Sequence, residues 1–327
     1  MRQGTPVGLV VALAIASAAC GRPSAEEIAR LRAEAREEDA RQRAGLDAGP
    51  PAEAWSIEIR SSVPGQKATL TAARLEETGD KEIVTIAPAA DTGYKAEHRY
   101  KGMLLSKALD DLGGLDGGAD TEVTILGADG YWTALRADDV KYSPILLAVL
   151  RDGRRIPRNL GGPVSLALPI SSHPDLAVRY GENAWCFYVS GIIVGRPRAR
   201  LRIDDAVREP SELVAKGATR RRQRVRFRRG WSNDEVVLDG VRLAALFPSA
   251  KAVKVYSFGR EPGSEVTITA EEMRACDPLV VLGDAPMTHP LAPNLGGPAV
   301  LAPLPGCGAS WAQAGWPAFL DTLQAVP

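Results

Sequence analysis

Histidine and cysteine are scarce in this chain. Three histidines and four cysteines in 327 residues leave few ligands for a metal cluster. No CxxC or HxxxH spacing occurs, which excludes the common zinc and dithiol arrangements. The formal net charge is zero, with 40 basic and 40 acidic residues, so the global positive field of a nucleic-acid binder is missing. The apolar run near the N-terminus, VGLVVALAIASAA, has only 13 residues, too few for a membrane-spanning helix, which needs about 20. There is no Ser-His-Asp order, phosphate-cradling loop or paired carboxylate in a recognisable context. No residue is assigned a catalytic role.

What is present begins with that short apolar run. Preceded by an arginine and ended by small residues and Cys20, it reads as a secretory signal peptide over residues 1–19. The junction SAAC-G resembles the bacterial lipobox, with Ser17 where leucine is usual. Cys20 is then the lipidated mature N-terminus, and its acyl chains supply the membrane anchor. Gly21 in the next position leans towards the outer membrane, with the protein facing the periplasm. Residues 20–53 follow as a charged tether. Ser24 and Glu27 form a capping-box signature, and the Ala/Glu/Arg composition makes a helix polar nearly all round. It is a solvated spacer or a helix that binds a partner.

From residue 54 onward, composition is that of a globular protein, with 45% hydrophobic and 24% charged residues overall, and the length suits two domains. One phrase is spelled twice: NLGGPVSLALP at 159–169 and NLGGPAVLAPLP at 294–305. The neighbours recur in the same order, pairing Gly102 with Gly240, Val123 with Val253, Pro144 with Pro278 and Gly161 with Gly296. Loops absorb the few residues of drift between these pairs cheaply. A period this long indicates a duplicated domain, not a solenoid. Repeat A is placed at 54–199 and repeat B, more divergent, at 200–327.

Within repeat A, AWSIEIRSS alternates as an edge strand does, and Thr71 opens a short helix. KEIVTIAP reads as a strand, GMLLSKALDDLGG as an amphipathic helix closed by glycines, and TEVTILGADGYWTAL as two strands around an Asp-Gly turn. PILLAVL is a buried strand, and NAWCFYVSGIIVG closes the repeat. In repeat B, RQRVRFRRG stands for KEIVTIAP, and Trp316 followed by FLDTL stands for the closing strand. Many short strands with interspersed helices define an α+β fold.

The series VTIAP, KGMLLSKAL, ADGYWTAL, ILLAVLRDGRRIPRNLGGPVSLALP and the closing strand resembles the molybdopterin-binding domain of the sulfite oxidase family. The resemblance covers 54–197 and extends more faintly over repeat B. It implies two tandem domains of mixed sheets with short helices. It also implies a cleft near His98, Arg99, Asp129, Tyr131, Trp132 and Arg158. One departure is decisive. The family's metal-ligating cysteine falls here on Pro88 or Ala87, and in repeat B on Arg228 or Arg229; none is a soft anionic ligand. No metal or cofactor is therefore expected, the alternative being molybdopterin in an atypical metal site. Cys186 in the closing strand is a buried hydrophobe or a relocated ligand, and Cys276 and Cys307 can pair in an oxidising envelope if their backbones approach.

The basic run RRRQRVRFRRG, 220–230, alternates Arg224, Arg226 and Arg228 with Val225 and Phe227. It is either a solvated strand face or a site for an anion or an acidic partner, since guanidinium forks match carboxylates and phosphates. The expectation is an envelope lipoprotein acting as a non-catalytic binding or assembly module for an envelope partner or small anion. The alternative is a molybdopterin-dependent envelope oxidoreductase; no nucleic acid is expected.

Overall fold

The computed structural model describes residues 54–327 apart from 63–65, 87–96, 113, 116–120, 182–183, 197–198, 228–229, 261–262, 285–290, 292–295 and 314–315. Cys20, the signal peptide and the tether lie outside the described residues, as do Ala87, Pro88, Arg228 and Arg229.

Two stretches of chain each build two small sheets. The first contributes β1 (Ser56–Ser61), β2 (Lys67–Thr71), β3 (Lys81–Ile86), β4 (Glu97–Leu104) and β5 (Glu122–Gly127). It continues with β6 (Trp132–Arg136), β7 (Leu146–Arg151), β8 (Arg154–Arg155), β9 (Ser165–Ala167) and β10 (Val189–Val194). The second contributes β11 (Leu201–Ile203), β12 (Ala206–Arg208), β13 (Ala218–Phe227), β14 (Gly230–Arg242) and β15 (Ala252–Ser257). It ends with β16 (Val266–Thr269), β17 (Leu279–Asp284), β18 (Val300–Ala302) and β19 (Leu320–Val326). Helices are short, the longest described having seven residues. The architecture is α+β with mixed sheets.

The strand orders of the two halves coincide except at β8, which has no counterpart, since β18 answers to β9. The first half has β2-β1-β10-β5-β6 and β3-β4-β7-β8, with β9 beside β7. The second has β12-β11-β19-β15-β16 and β13-β14-β17-β18. In both, the first strand runs parallel to the closing one, β1 with β10 and β11 with β19. Register agrees too. Gly102 sits opposite Ala148 and Gly240 opposite Val281. A Cβ at Gly102 would lie 2.0 Å from the Leu147 carbonyl oxygen, and one at Gly240 would lie 2.1 Å from that of Val280. Only glycine lets the backbones approach so closely. Gly161 and Gly296 both have positive φ, 90° and 80°, and both turns contain a cis Gly-Pro bond.

Three expectations need correction. Pro278 does not correspond to Pro144. Leu105 N donates to Ile145 O as Leu243 N donates to Pro278 O, each at 2.8 Å, so Pro278 corresponds to Ile145. The amphipathic helix from Gly102 is shorter than its periodicity suggests. Residues 102–104 belong to β4, because pairing with β7 fixes them as strand, and the helix is only Leu105–Ala108. Finally, β1 is not an edge: it lies between β2 and β10, and the edge is β2. Its apolar–polar alternation reflects one buried face, with Ile57 and Ile59 fully inaccessible, which a central strand of a one-sided sheet also shows.

Helix starts follow local chemistry. The Thr71 hydroxyl accepts from Arg74 N, and Thr269 with Glu272 forms a complete capping box, each satisfying amide groups left free by the helix start. Asp139 joins helix Ala137–Tyr142 to helix Pro174–Tyr180 by accepting from Arg179 and from the Tyr180 hydroxyl, which itself accepts from Arg136 N.

Each half has its own apolar core, one around Ile57, Leu105, Ile125 and Leu147, the other around Val241, Val253, Met273 and Leu301. A third cluster draws on both, joining Leu126 and Ile193 to Leu238, Phe258, Val281, Trp316 and Phe319, with Trp132 packed against it. The nineteen described strands belong to one compact unit.

Candidate functional site

His98 and Arg99 lie on β4, facing the β7–β8 turn. The His98 Nδ1 is 2.7 Å from Asp152 Oδ2, and its Nε2 is 2.5 Å from Arg151 Nη2. A guanidinium can only donate, so Nε2 accepts and Nδ1 carries the proton to Asp152. Both ring nitrogens are engaged. Arg99 N donates to Asp152 Oδ1 at 3.0 Å, and its guanidinium donates to Glu82 at 2.8 Å. Burial pushes the Asp152 carboxyl up, but the Arg99 amide, His98 and Arg151 outweigh it and hold its pKa below the ordinary value. Asp152 takes a positive φ of 51° in the Asp152-Gly153 turn, a conformation aspartate tolerates better than most residues.

Asp129 and Arg158 belong to a second group. Asp129 occupies the β5–β6 turn, where its Oδ1 accepts from Tyr131 N at 2.9 Å. A Cβ at Gly127 would lie 2.7 Å from Asp129 Oδ1 and 3.5 Å from Cys186 Sγ, so this glycine lets the carboxylate fold back over the thiol. Arg158 places its guanidinium carbon 5.7 Å from the Trp55 ring centre and 5.9 Å from that of Tyr188, within cation–π range. Burial, then the Asp129 charge, push the Tyr188 phenol above its ordinary pKa, and Arg158 opposes them. Tyr188 N donates to Gly161 O at 2.8 Å, tying this group to the first NLGGP turn.

Trp132 faces elsewhere: its ring meets Phe319 edge-on at 5.2 Å, in the cluster shared by the two halves. The six cleft candidates thus distribute among an ion-pair network at His98 and Arg99, a polar group at Asp129, Tyr131 and Arg158, and an apolar contact at Trp132. Sequence reasoning missed Tyr188, Trp55 and Asp152. Asp152-Gly153 is a recognisable turn dipeptide. Nothing local marks Tyr188, which becomes polar company for Asp129 only through the closing strand.

The arginine run divides in the same way. Arg220 grips Asp239 with two hydrogen bonds at 2.8 and 2.9 Å, and Arg221 donates to Asp277 and to the Ala302 carbonyl. These two are structural clamps. The side chains of Arg224 and Arg226 and the whole of Arg228 lie outside the described residues.

The cysteines determine whether a thiolate-ligated metal fits. Cys276 and Cys307 form a disulfide. Cys186 is fully buried, with its Sγ directed to the Phe187 carbonyl, and burial followed by the Asp129 charge pushes its pKa well up. A thiol held neutral in an apolar pocket is not a ready metal ligand. Among the described residues, no group of three or more His, Cys, Asp or Glu side chains is arranged to hold a metal. The described donors do not fit a molybdenum centre that takes a protein thiolate.

No protein-family model and no curated protein matches the chain. Among solved structures, it is similar to the sulfane dehydrogenase SoxCD from Paracoccus pantotrophus, at 14% identity and a TM-score of 0.35. The match covers 67% of this chain and 60% of that one. Similarity at this level transfers no activity. The class defined by the structure is an α+β body of two structurally equivalent halves.

Proposed function

We propose that this protein is a bacterial envelope lipoprotein, anchored through Cys20 to the outer membrane and facing the periplasm, whose body is a non-catalytic binding or assembly module. The observation that carries the reading is the state of the three described cysteines. Two are joined in the Cys276–Cys307 disulfide, which suits an oxidising compartment, and the third is a buried neutral thiol. The sulfite-oxidase-like ancestry inferred from the sequence then supplies a scaffold without its metal chemistry. No described helix is long and apolar enough to cross a membrane, and attachment in this reading rests on the lipid alone.

Within the module, the binding group is Arg158, Tyr188 and Asp129. Arg158 offers a donor fork, Tyr188 a hydroxyl, and Asp129 an acceptor. Asp129 also repels a free anion, which favours a polypeptide partner carrying both donors and acceptors over a small anion. His98 and Arg99 stand apart from this group, tied to Asp152 and Glu82.

The test is elemental analysis of protein purified from its own envelope, together with fractionation of Cys20→Ala. We expect molybdenum far below one per chain, and an unprocessed or soluble Cys20→Ala protein. Near-stoichiometric molybdenum would overturn the non-catalytic reading in favour of an envelope oxidoreductase with an atypical site. Recovery of the wild type in the cytoplasm with residues 1–19 intact would overturn the anchor.

A further inference from the structure

The contact between the halves is reciprocal. The end of the β5–β6 hairpin in the first half reaches the start of the closing strand in the second, where Trp132 meets Phe319. The corresponding β15–β16 turn in the second half reaches the start of the closing strand in the first. There Phe258 and Gly259 lie against Ser190 and Gly191: a Cβ at Gly191 would come within 3.0 Å of the Phe258 ring and 3.3 Å of the Gly259 Cα. Ser190 donates to the Gly259 carbonyl. Arg60 lies over the Phe258 ring at 3.9 Å and pairs with Asp321 on β19 at 2.8 Å. Each half gives a hairpin end and receives one, the pattern of a two-fold interface.

The same equivalence shows what the halves do not share. Tyr188 and Phe319 occupy one position: both have positive φ, 54° and 52°, and both donate from N at 2.8 Å to the first glycine of an NLGGP turn. Counting along β5 and β15 from Val123 and Val253 places Gly259 where Asp129 stands. The second half thus has a glycine for the carboxylate and a phenyl ring for the phenol. That ring is the one on which Trp132 rests.

We infer that the second half is a positioning domain for the first: Phe319 and Phe258 hold the Asp129 hairpin and the Tyr188 strand in place, leaving one such polar site among the described residues. This rests on the proposal that Asp129, Arg158 and Tyr188 form the binding group. Trp132 and Phe258 are accordingly positioning residues that do not touch the ligand. The geometry explains why a chain would keep a second copy that has lost the carboxylate and the phenol.

The test uses the full chain with Trp132→Ala and, separately, Phe258→Ala. Amide protection over 127–131 and 187–190 should fall about tenfold, the scale of losing one aromatic pair, while β2 and β12 at the far sheet edges keep theirs. Tyr188 gives a second readout. Burial and Asp129 both raise its phenol, and Arg158, outside the hairpin, opposes them. Loosening the hairpin should therefore lower the Tyr188 titration, read as the tyrosinate difference between each variant and its Tyr188→Phe counterpart. An unchanged Tyr188 titration with unchanged local protection overturns the inference, and so does a uniform loss of protection across both halves, which marks general destabilisation alone. If Trp132→Ala does not fold, Gly191→Ala, which displaces Phe258 by a single methyl group, is read by the same outcomes. Failure to find an envelope partner would defeat the functional proposal without altering either readout.

Discussion

Removing the Cys276–Cys307 bond by a double change to alanine offers a quantitative test of the second half. The two cysteines are 31 residues apart. Chain-entropy arguments for a loop of that length give about 3.7 kcal/mol of stabilisation through restriction of the unfolded chain. Both side chains are buried in the second core beside Met273 and Trp311, and alanine creates no new unpaired polar group there. The closed loop is also held by Leu304 N donating to Cys276 O at 2.7 Å and by Gln313 Nε2 donating to Cys307 O at 2.8 Å. These bonds let the native loop survive without the sulfurs, so the loss should come mainly from the unfolded state. At about 2–4 °C per kcal/mol for a domain of this general size, the midpoint should fall by roughly 7–15 °C. Circular-dichroism melts of wild type and double variant, with and without reductant, measure it. Reductant should lower the wild type towards the variant and leave the variant unmoved. A variant melting within about 2 °C of oxidised wild type would refute the loop-entropy reasoning. Alkylation of Cys276 and Cys307 in unreduced, denatured protein would refute the bond itself.

Two further outcomes follow from single residues. Burial raises the Asp139 carboxyl, but Arg179 and Tyr180 outweigh it, so its folded pKa is lowered. A lowered pKa gives stability that is present above the unfolded value near 4 and lost as pH falls through the lower folded one. Urea midpoints should therefore drop on acidification below about pH 4, and less steeply in Asp139→Asn; identical slopes would contradict this. Gly102→Ala and Gly240→Ala should each destabilise by about 1–3 kcal/mol or more, because the added methyl group meets a neighbouring carbonyl oxygen on β7 or β17 that cannot give way without breaking the sheet. Similar urea shifts for both are expected, and a neutral result for either would break the equivalence drawn between them.

The sequence disclosed the positions where backbone chemistry is restrictive. Gly102, Gly161, Gly240 and Gly296 mark close approaches or left-handed turns, and such sites leave the same letters in both halves. Thr71 was readable as a helix start because capping is local. Less was legible wherever a partner strand decides. Residues 102–104 follow a helical rhythm, yet pairing with β7 makes them strand. The alternation in β1 could not distinguish an edge from a half-covered centre. The candidate site suffered most. Asp129 and Arg158 were found through the family resemblance, but Tyr188 joins them through contacts 30 and 59 residues away in the chain, and Trp132 was drawn off by Phe319, 187 residues distant.

The parallel pairing of first and closing strands has a consequence for how the chain folds. β1 is among the first strands to be made, yet its neighbour β10 begins 133 residues after it does; β11 likewise waits for β19. Neither central sheet can close until its own half has been threaded in full, so collapse must precede completion. Contacts of such long sequence separation slow folding and lengthen the time that strand edges stand unpaired. During that interval β1 and β11, alike in place, compete for the same kind of partner. β10 is synthesised before β11 exists, and this order of appearance protects the first half from capturing the wrong strand. The second half has no such protection, because both closing strands are present when β11 looks for β19.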